Sequence, residues 1–240
     1  MKIMGIDISS KSTGWSIIED DKLLEYGKIN PTGKMSTAQK LFLFHIELKK
    51  IIERQLPDEI VIEDVPLVKS VSVAKLLAKF NGVAVIEAYR HLQHDPTLFE
   101  PTKWKKMVEG CTGSSKKCEV QLAMCIRFDL LSDDKIDAYR ERIEAARLVA
   151  KDSTVDVKEI RNDLKKQLRK AKKEKDDNLM KTIKTQLNEL KTSSKENIKK
   201  QKKEASKLFD AISMDIYTET SINEDIGDSI GVAIAFQKSQ

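Results

Sequence analysis

An α/β fold, a mixed sheet flanked by helices and carrying a long helical insert, is predicted from three observations. Short apolar runs of strand length, Ile3 to Ile6 and Ile60 to Ile62, each end in acidic residues. Amphipathic helical periodicity occupies 37–56 and 70–92. From 114 to 226 the chain contains neither proline nor glycine, so that stretch lacks every strong helix breaker.

The elements follow in order. Strands are expected at 2–8, 13–19 and 22–29, then a helix over 37–56 with Ala38, Leu41, His45, Leu48 and Ile52 on one stripe. A buried strand at 59–64 precedes a helix over 70–92, in which Gly82 suggests close approach to another helix, including one across a dimer interface. A short strand near 97–100 and a helix over 115–130 complete this part. Ser221 with Glu224 three residues on reads as a capping box, so the last helix is expected to begin near Ile222. Its core face is Ile230, Val232, Ala233, Ile234 and Ala235.

Acidic residues sit where they are hardest to tolerate. Asp7 ends the first strand, and Glu63 and Asp64 end the strand at 59–64. An ionised carboxylate beside apolar packing costs several kcal/mol unless a cation or hydrogen-bond donors compensate it. Asp225 and Asp228 are three residues apart, so both lie on one face of the last helix, at its positive dipole end. Three carboxylate clusters on apolar elements suggest convergence on hard divalent cations held by oxygen, magnesium or manganese.

The stretch between the helix at 115–130 and the last helix has its own charge balance. Residues 155–207 hold 18 Lys and Arg against 9 Asp and Glu, a net of +9, in a chain whose 43 basic and 38 acidic residues give +5. Everything else sums to −4. Ile136, Tyr139, Ile143, Ala146 and Ala150 recur three and four residues apart, as do Ile183, Leu187 and Leu190, and Val157, Ile160, Leu164 and Leu168. Helix starts are marked at Ser132-Asp133-Asp134 and near Ser153-Thr154, with a turn at Lys175-Asp176-Asp177-Asn178. These features predict an antiparallel, coiled-coil-like protrusion that grips DNA through its charge, zips against the insert of a second subunit, or docks another protein.

Cys111, Cys118 and Cys125, spaced seven apart, match neither zinc ligation nor a disulfide framework and read as small packed side chains in a reducing compartment. His91 and His94 have no partner at ligand spacing. No signal peptide, membrane span or targeting segment is seen, which predicts a cytoplasmic protein.

Gly5 through Ile18, with Ile62-Glu63-Asp64-Val65, the helix from Ser70 through Asn81-Gly82-Val83-Ala84-Val85, Trp104-Lys105-Lys106 to Gly110 with Gly113, Lys117 and Val120, and the terminal Asp225-x-x-Asp228-Ser-Ile-Gly-Val-Ala-Ile-Ala, resemble in order the RuvC family of Holliday junction resolvases. The resemblance covers roughly 1–130 and 222–237. It implies an RNase H-like nuclease core over 1–130 plus 222–240, with 131–221 as a basic helical insert. It implies a two-metal phosphodiesterase using two magnesium or manganese ions per active site. Asp7 would bridge the metals, Glu63 would bind on one side, and Asp225 and Asp228 would complete the other. Branched DNA would be the substrate, a homodimer the working form, and Lys11, Lys69, Lys105 and Lys117 the contacts to its backbone.

Two departures from the family pattern bear on selectivity. Where the family carries a stacking aromatic three residues after the strand glutamate, this chain has Pro66, followed by Leu67, so a junction wedge would fall to Leu67 or Trp104. Ile8-Ser9 replaces the usual Pro-Gly after the first aspartate. The competing readings are an RNase H-fold nuclease acting on RNA–DNA hybrids or as a transposase, and a coiled-coil DNA-binding scaffold. A lysine-rich resolvase with an added helical module suits a phage protein acting in a host cytoplasm.

Overall fold

The computed structural model describes residues 1–31, 34–65, 70–174 and 177–240, the side chains at 151–159, 171–174, 177–179 and 193 apart. Two compact units emerge, Met1–Ile136 with Ser213–Gln240, and Asp137–Ile212. The insert was expected at 131–221; the first turn of its first helix and the last two turns of its second group with the first unit instead, where Ile136 and Ile216 are buried.

The first unit is built on a five-stranded sheet in the order β3-β2-β1-β4-β5, with β1 Lys2–Asp7, β2 Thr13–Glu19, β3 Lys22–Ile29, β4 Glu59–Glu63 and β5 Thr97–Phe99. Strands β1, β2 and β3 form an antiparallel meander, and β4 and β5 add in parallel, so the sheet is mixed. Side chains alternate across a strand. Met4, Ile6, Trp15, Ile17, Ile60 and Ile62 point to one face, where they pack with Phe44, Leu48, Ile51 and Ile52 of α1 Thr37–Gln55 and with Phe80, Ala84 and Ala88 of α2 Val71–Leu92. Gly5, Asp7, Gly14, Ser16, Val61 and Glu63 therefore belong to the other face.

That other face is covered by α7 Glu224–Ser239, which lies against β1, β2 and β4 and is buried continuously from Ile226 to Phe236. The approach is close because two glycines permit it. A Cβ added at Gly5 would stand 2.0 Å from the Ser229 carbonyl oxygen, and one at Gly14 would stand 2.1 Å from that of Asp225. The helix is locked from outside by α4 Lys117–Arg127, whose buried Gln121 donates to the Ile222 carbonyl at 2.9 Å and accepts from the Ser213 hydroxyl at 2.5 Å. Against α7 also packs α3 Pro101–Met107, whose Trp104 is fully buried over Gly231.

Several local expectations are corrected. The cap of α7 is Asn223, whose side chain accepts from the Ile226 amide; Ser221 ends the preceding helix in a left-handed conformation, φ 60°. Ala38 is exposed in the first turn of α1, and the buried line shifts to Phe44, Leu48, Ile51 and Ile52 because the turns nearer the sheet carry the bulk. A Cβ added at Gly82 would meet nothing within 4 Å, so among the described residues it packs closely against no other helix. The helix α3 was not anticipated, although Pro101 at its first position is a start signal.

In the second unit, α5 Asp133–Glu174 runs through Ser153-Thr154 without the restart expected there, since no breaker interrupts it. Lys175 and Asp176, half of the expected turn, lie outside the described residues, and α6 Asp177–Thr220 follows. Along α5 the line Tyr139, Ile143 and Ala146 is buried, as are Ile183, Ser194, Ala205 and Ile212 along α6, while Leu164, Leu168, Leu187 and Leu190 are half-buried. Ile183, near the start of α6, is buried within the same unit as α5. Ala146 and Ala205 are buried at about equal distance from the connection, the pattern of an antiparallel pair.

Gly5→Ala should lower stability by about 2–3 kcal/mol, because its methyl meets backbone rather than a movable side chain. Gly82→Ala, at an exposed mid-helix position facing open space, should raise it by up to about 1 kcal/mol. Urea unfolding midpoints of the two variants check both signs.

A carboxylate cluster between the sheet and its covering helix

Strand alternation and register bring the acids together. Asp7 ends β1 and Glu63 ends β4, one step beyond the paired Ile6 and Ile62, so both carboxylates leave neighbouring strands on the face that α7 covers. The tight seat of α7 on Gly5 and Gly14 then presses its second turn, with Asp228, onto those strand ends. Carboxylate oxygens of Asp7, Glu63 and Asp228 lie within 4.8 Å of one another. Asp225, expected with them, stays outside this triad; it sits in the first turn of α7, 3.5 Å from the Asn223 amide nitrogen.

The cluster is only partly compensated by the protein alone. Burial first, and then the charge of Glu63, pushes the Asp7 carboxyl well above the ordinary aspartate range. Burial pushes Asp228 up to about 7, against the opposing pull of the Lys105 ammonium. Burial also raises Asp225, more mildly. The available donors are few: the Trp104 indole donates to Glu63 Oε1 at 3.3 Å, and Lys105 Nζ stands 3.9 Å from Asp228 Oδ2. Among the described residues Asp228 Oδ1 is buried without any hydrogen-bond partner. An orphaned carboxylate oxygen facing two other carboxylates is what a hard cation satisfies, so the donor set fits a divalent metal.

The remaining expected contacts separate. Lys105 is largely covered and aimed at the cluster, whereas Lys117 is paired with Glu224 at 2.5 Å at the rim. Lys11 is exposed on the turn between β1 and β2. Lys69, Pro66 and Leu67 lie outside the described residues. Trp104 is too deeply buried to act as a wedge; its place is under Glu63. That bond went unread in the sequence because nothing in the spacing of Glu63 and Trp104 marks them as neighbours. Cys118 and Cys125 are buried and Cys111 half-buried, none of them in a disulfide, and His91 bonds the Pro57 carbonyl at 2.8 Å. Among the described residues no helix is long and apolar enough to cross a membrane.

A carboxyl whose pKa is raised on folding binds its proton more tightly in the folded state. Its contribution is therefore fully present below the unfolded value and lost as pH rises through the folded one. For Asp228 the window runs from about 4 to about 7. The metal-free protein should thus lose several degrees of melting temperature between pH 5 and about 8. Asp228→Asn should flatten that decline, and added magnesium should reverse it at the alkaline end, as differential scanning calorimetry would show.

Residues 3–140 match the family model described as crossover junction endodeoxyribonuclease RuvC. Two relatives of that name are similar to the chain. The one from Alkaliphilus metalliredigens is 28% identical over 150 residues, 61% of this chain and 90% of the relative. The one from Alkaliphilus oremlandii is 30% identical over 152 residues, with the same shares covered. The solved structure of Thermus thermophilus RuvC in complex with Holliday junction substrate aligns at 18% identity and a TM-score of 0.49, over 55% of this chain and 82% of that one.

Proposed function

We propose that this chain, which belongs to the crossover junction endodeoxyribonuclease RuvC family, hydrolyses phosphodiester bonds in branched DNA at the cluster of Asp7, Glu63 and Asp228. The observation that carries the assignment is the gathering of those three carboxylates within 4.8 Å on the covered face of the sheet. Asp7, Glu63 and Asp228 would hold a divalent metal, magnesium or manganese, with Asp225 at the rim joining when a second ion binds. Such ions, when bound, generate the attacking hydroxide and stabilise the leaving oxygen of an in-line displacement at phosphorus.

The protein's own groups prepare that chemistry. The charges of Glu63, Asp228 and Asp225 all act on Asp7, which supports a bridging role for its carboxylate. The Trp104 indole holds Glu63 in one orientation and keeps that side of it dry. Lys105 brings positive charge to Asp228 and, once that acid is committed to a cation, would be an ammonium at hand for a substrate phosphate. Lys117 and Lys11 lie farther out, where they would steer the DNA backbone. A four-way junction has two strands to cut, so two active sites in a homodimer are required for symmetric incision. The exposed face of α2 carrying Gly82, Ile86 and Tyr89 supports a place for the second copy. The place of action would be the compartment that holds the DNA, a cytoplasm.

The test is a magnesium-dependent cleavage assay on four-way, three-way, flap and linear DNA of equal length. Asp7→Asn, Glu63→Gln and Asp228→Asn should each lower the rate by about a hundredfold or more while leaving DNA binding largely intact. Asp225→Asn should do so less severely. Retained cleavage in Asp7→Asn would remove the cluster from the mechanism. Because Pro66 and not an aromatic follows the strand glutamate, three-way branches should be cut at rates comparable to four-way junctions. Preference of a hundredfold or more for four-way junctions would show a wedge elsewhere.

A further inference from the structure

The family match ends at residue 140, within α5, so it leaves most of Asp137–Ile212 without a role. The charge in that unit is ordered. On α6, Lys181, Lys184, Lys191, Lys195, Lys199 and Lys202 are all exposed, and their steps of three, seven, four, four and three return each to one line at about 100° per residue. Asn188 fills the wide step on the same line. The acids of this segment, Glu189, Glu196 and Glu204, are turned onto other faces by the same count. Among the described residues none of the six lysines meets a carboxylate within ion-pair distance. On α5, Arg161, Lys165 and Arg169 form a second exposed line at steps of four. Each line stands about a quarter-turn from its helix's buried line, in the same rotational sense seen from its own N-terminus. In an antiparallel pair, positions of the same sense fall on the same side.

A surface that serves only solubility mixes signs. The beginning of α5 does so, with Arg140 paired to Asp137 at 3.0 Å and Arg147 to Glu144 at 3.3 Å. The six-lysine line instead extends about 32 Å, close to the 34–36 Å of one duplex turn. We infer that this one-sided basic stripe on α5 and α6 is a sequence-independent binding surface for the sugar-phosphate backbone of double-stranded DNA. The inference rests on DNA as the substrate, and it assigns most of the non-specific grip to the added unit. Acidic protein surfaces offer similar charge, but not the unbroken line of anions over a full duplex turn that a stripe of this length can follow.

The test compares the full chain with a variant carrying glutamine at Lys181, Lys184, Lys191, Lys195, Lys199 and Lys202. Binding to an immobile four-way junction and to a linear duplex is titrated against salt in metal-free buffer. The variant should lose about tenfold or more in affinity near 0.1 M salt, and its slope of log affinity against log salt should fall by about three to five. The same six positions as arginine should restore both. Glutamine at Lys200 and Lys207, off the stripe, should change the slope by less than about one. Helix content measured by circular dichroism should be unchanged, since all six positions are exposed. An unchanged slope overturns the inference, as does an equal loss per charge in the off-stripe variant. A change in sedimentation with no change in slope also overturns it, making the stripe a protein contact. Cleavage with magnesium at saturating protein should persist in the six-glutamine variant. Absence of cleavage in the unaltered chain would instead count against the proposed nuclease reading and leave the duplex titration to stand alone.

Discussion

The seat of α7 on the sheet is the constraint from which the rest follows. Two missing side chains, at Gly5 and Gly14, let a helix backbone come within contact distance of strand backbone. Without that approach Asp228 would stand a side chain's width farther from Asp7 and Glu63, and the three would no longer form one set of ligands. The remaining contacts protect the arrangement: Gln121 ties the entrance of α7 to α4, and Trp104 fills the hollow that Gly231 leaves while fixing Glu63 from below.

Burying carboxylates together is unfavourable, and the protein compensates it only in part. Lys105 offsets one charge, and burial holds Asp7 and Asp228 toward their protonated forms. Stability is thereby surrendered locally to keep a site that a cation completes, the pattern expected where polar groups serve chemistry more than folding. The added unit follows the opposite rule, with charge kept on the surface in a line and Tyr139, Ile143, Ala146, Ile183, Ala205 and Ile212 buried, although Leu148, Ile160 and Leu208 stay exposed.

Much of this was legible in the sequence because strand and helix periods are physical. Alternation in Lys2–Asp7 and Glu59–Glu63 places Asp7 and Glu63 on the same side as Gly5, and the spacing of Asp225 and Asp228 puts them on one helix face. What was not legible depended on tertiary detail. Ser221 and Glu224 satisfy a capping pattern, yet the preceding helix runs on to Thr220 and moves the cap to Asn223. Gly82 reads like a packing glycine in sequence and faces open space, whereas the role of Gly5 appears only when the helix above it is in place. The separation of Asp225 from the triad likewise reflects where the first turn of α7 sits against Gly14, which spacing alone does not convey.

The central claim is that the α7 seat completes a divalent-cation site. Calorimetric titration of the full chain with manganese, beside Glu63→Gln and Gly5→Ala, addresses it most directly. The account predicts saturable binding by the unaltered chain, lost in Glu63→Gln and clearly weakened in Gly5→Ala even where that variant remains folded. Manganese binding of equal affinity in all three proteins would contradict it.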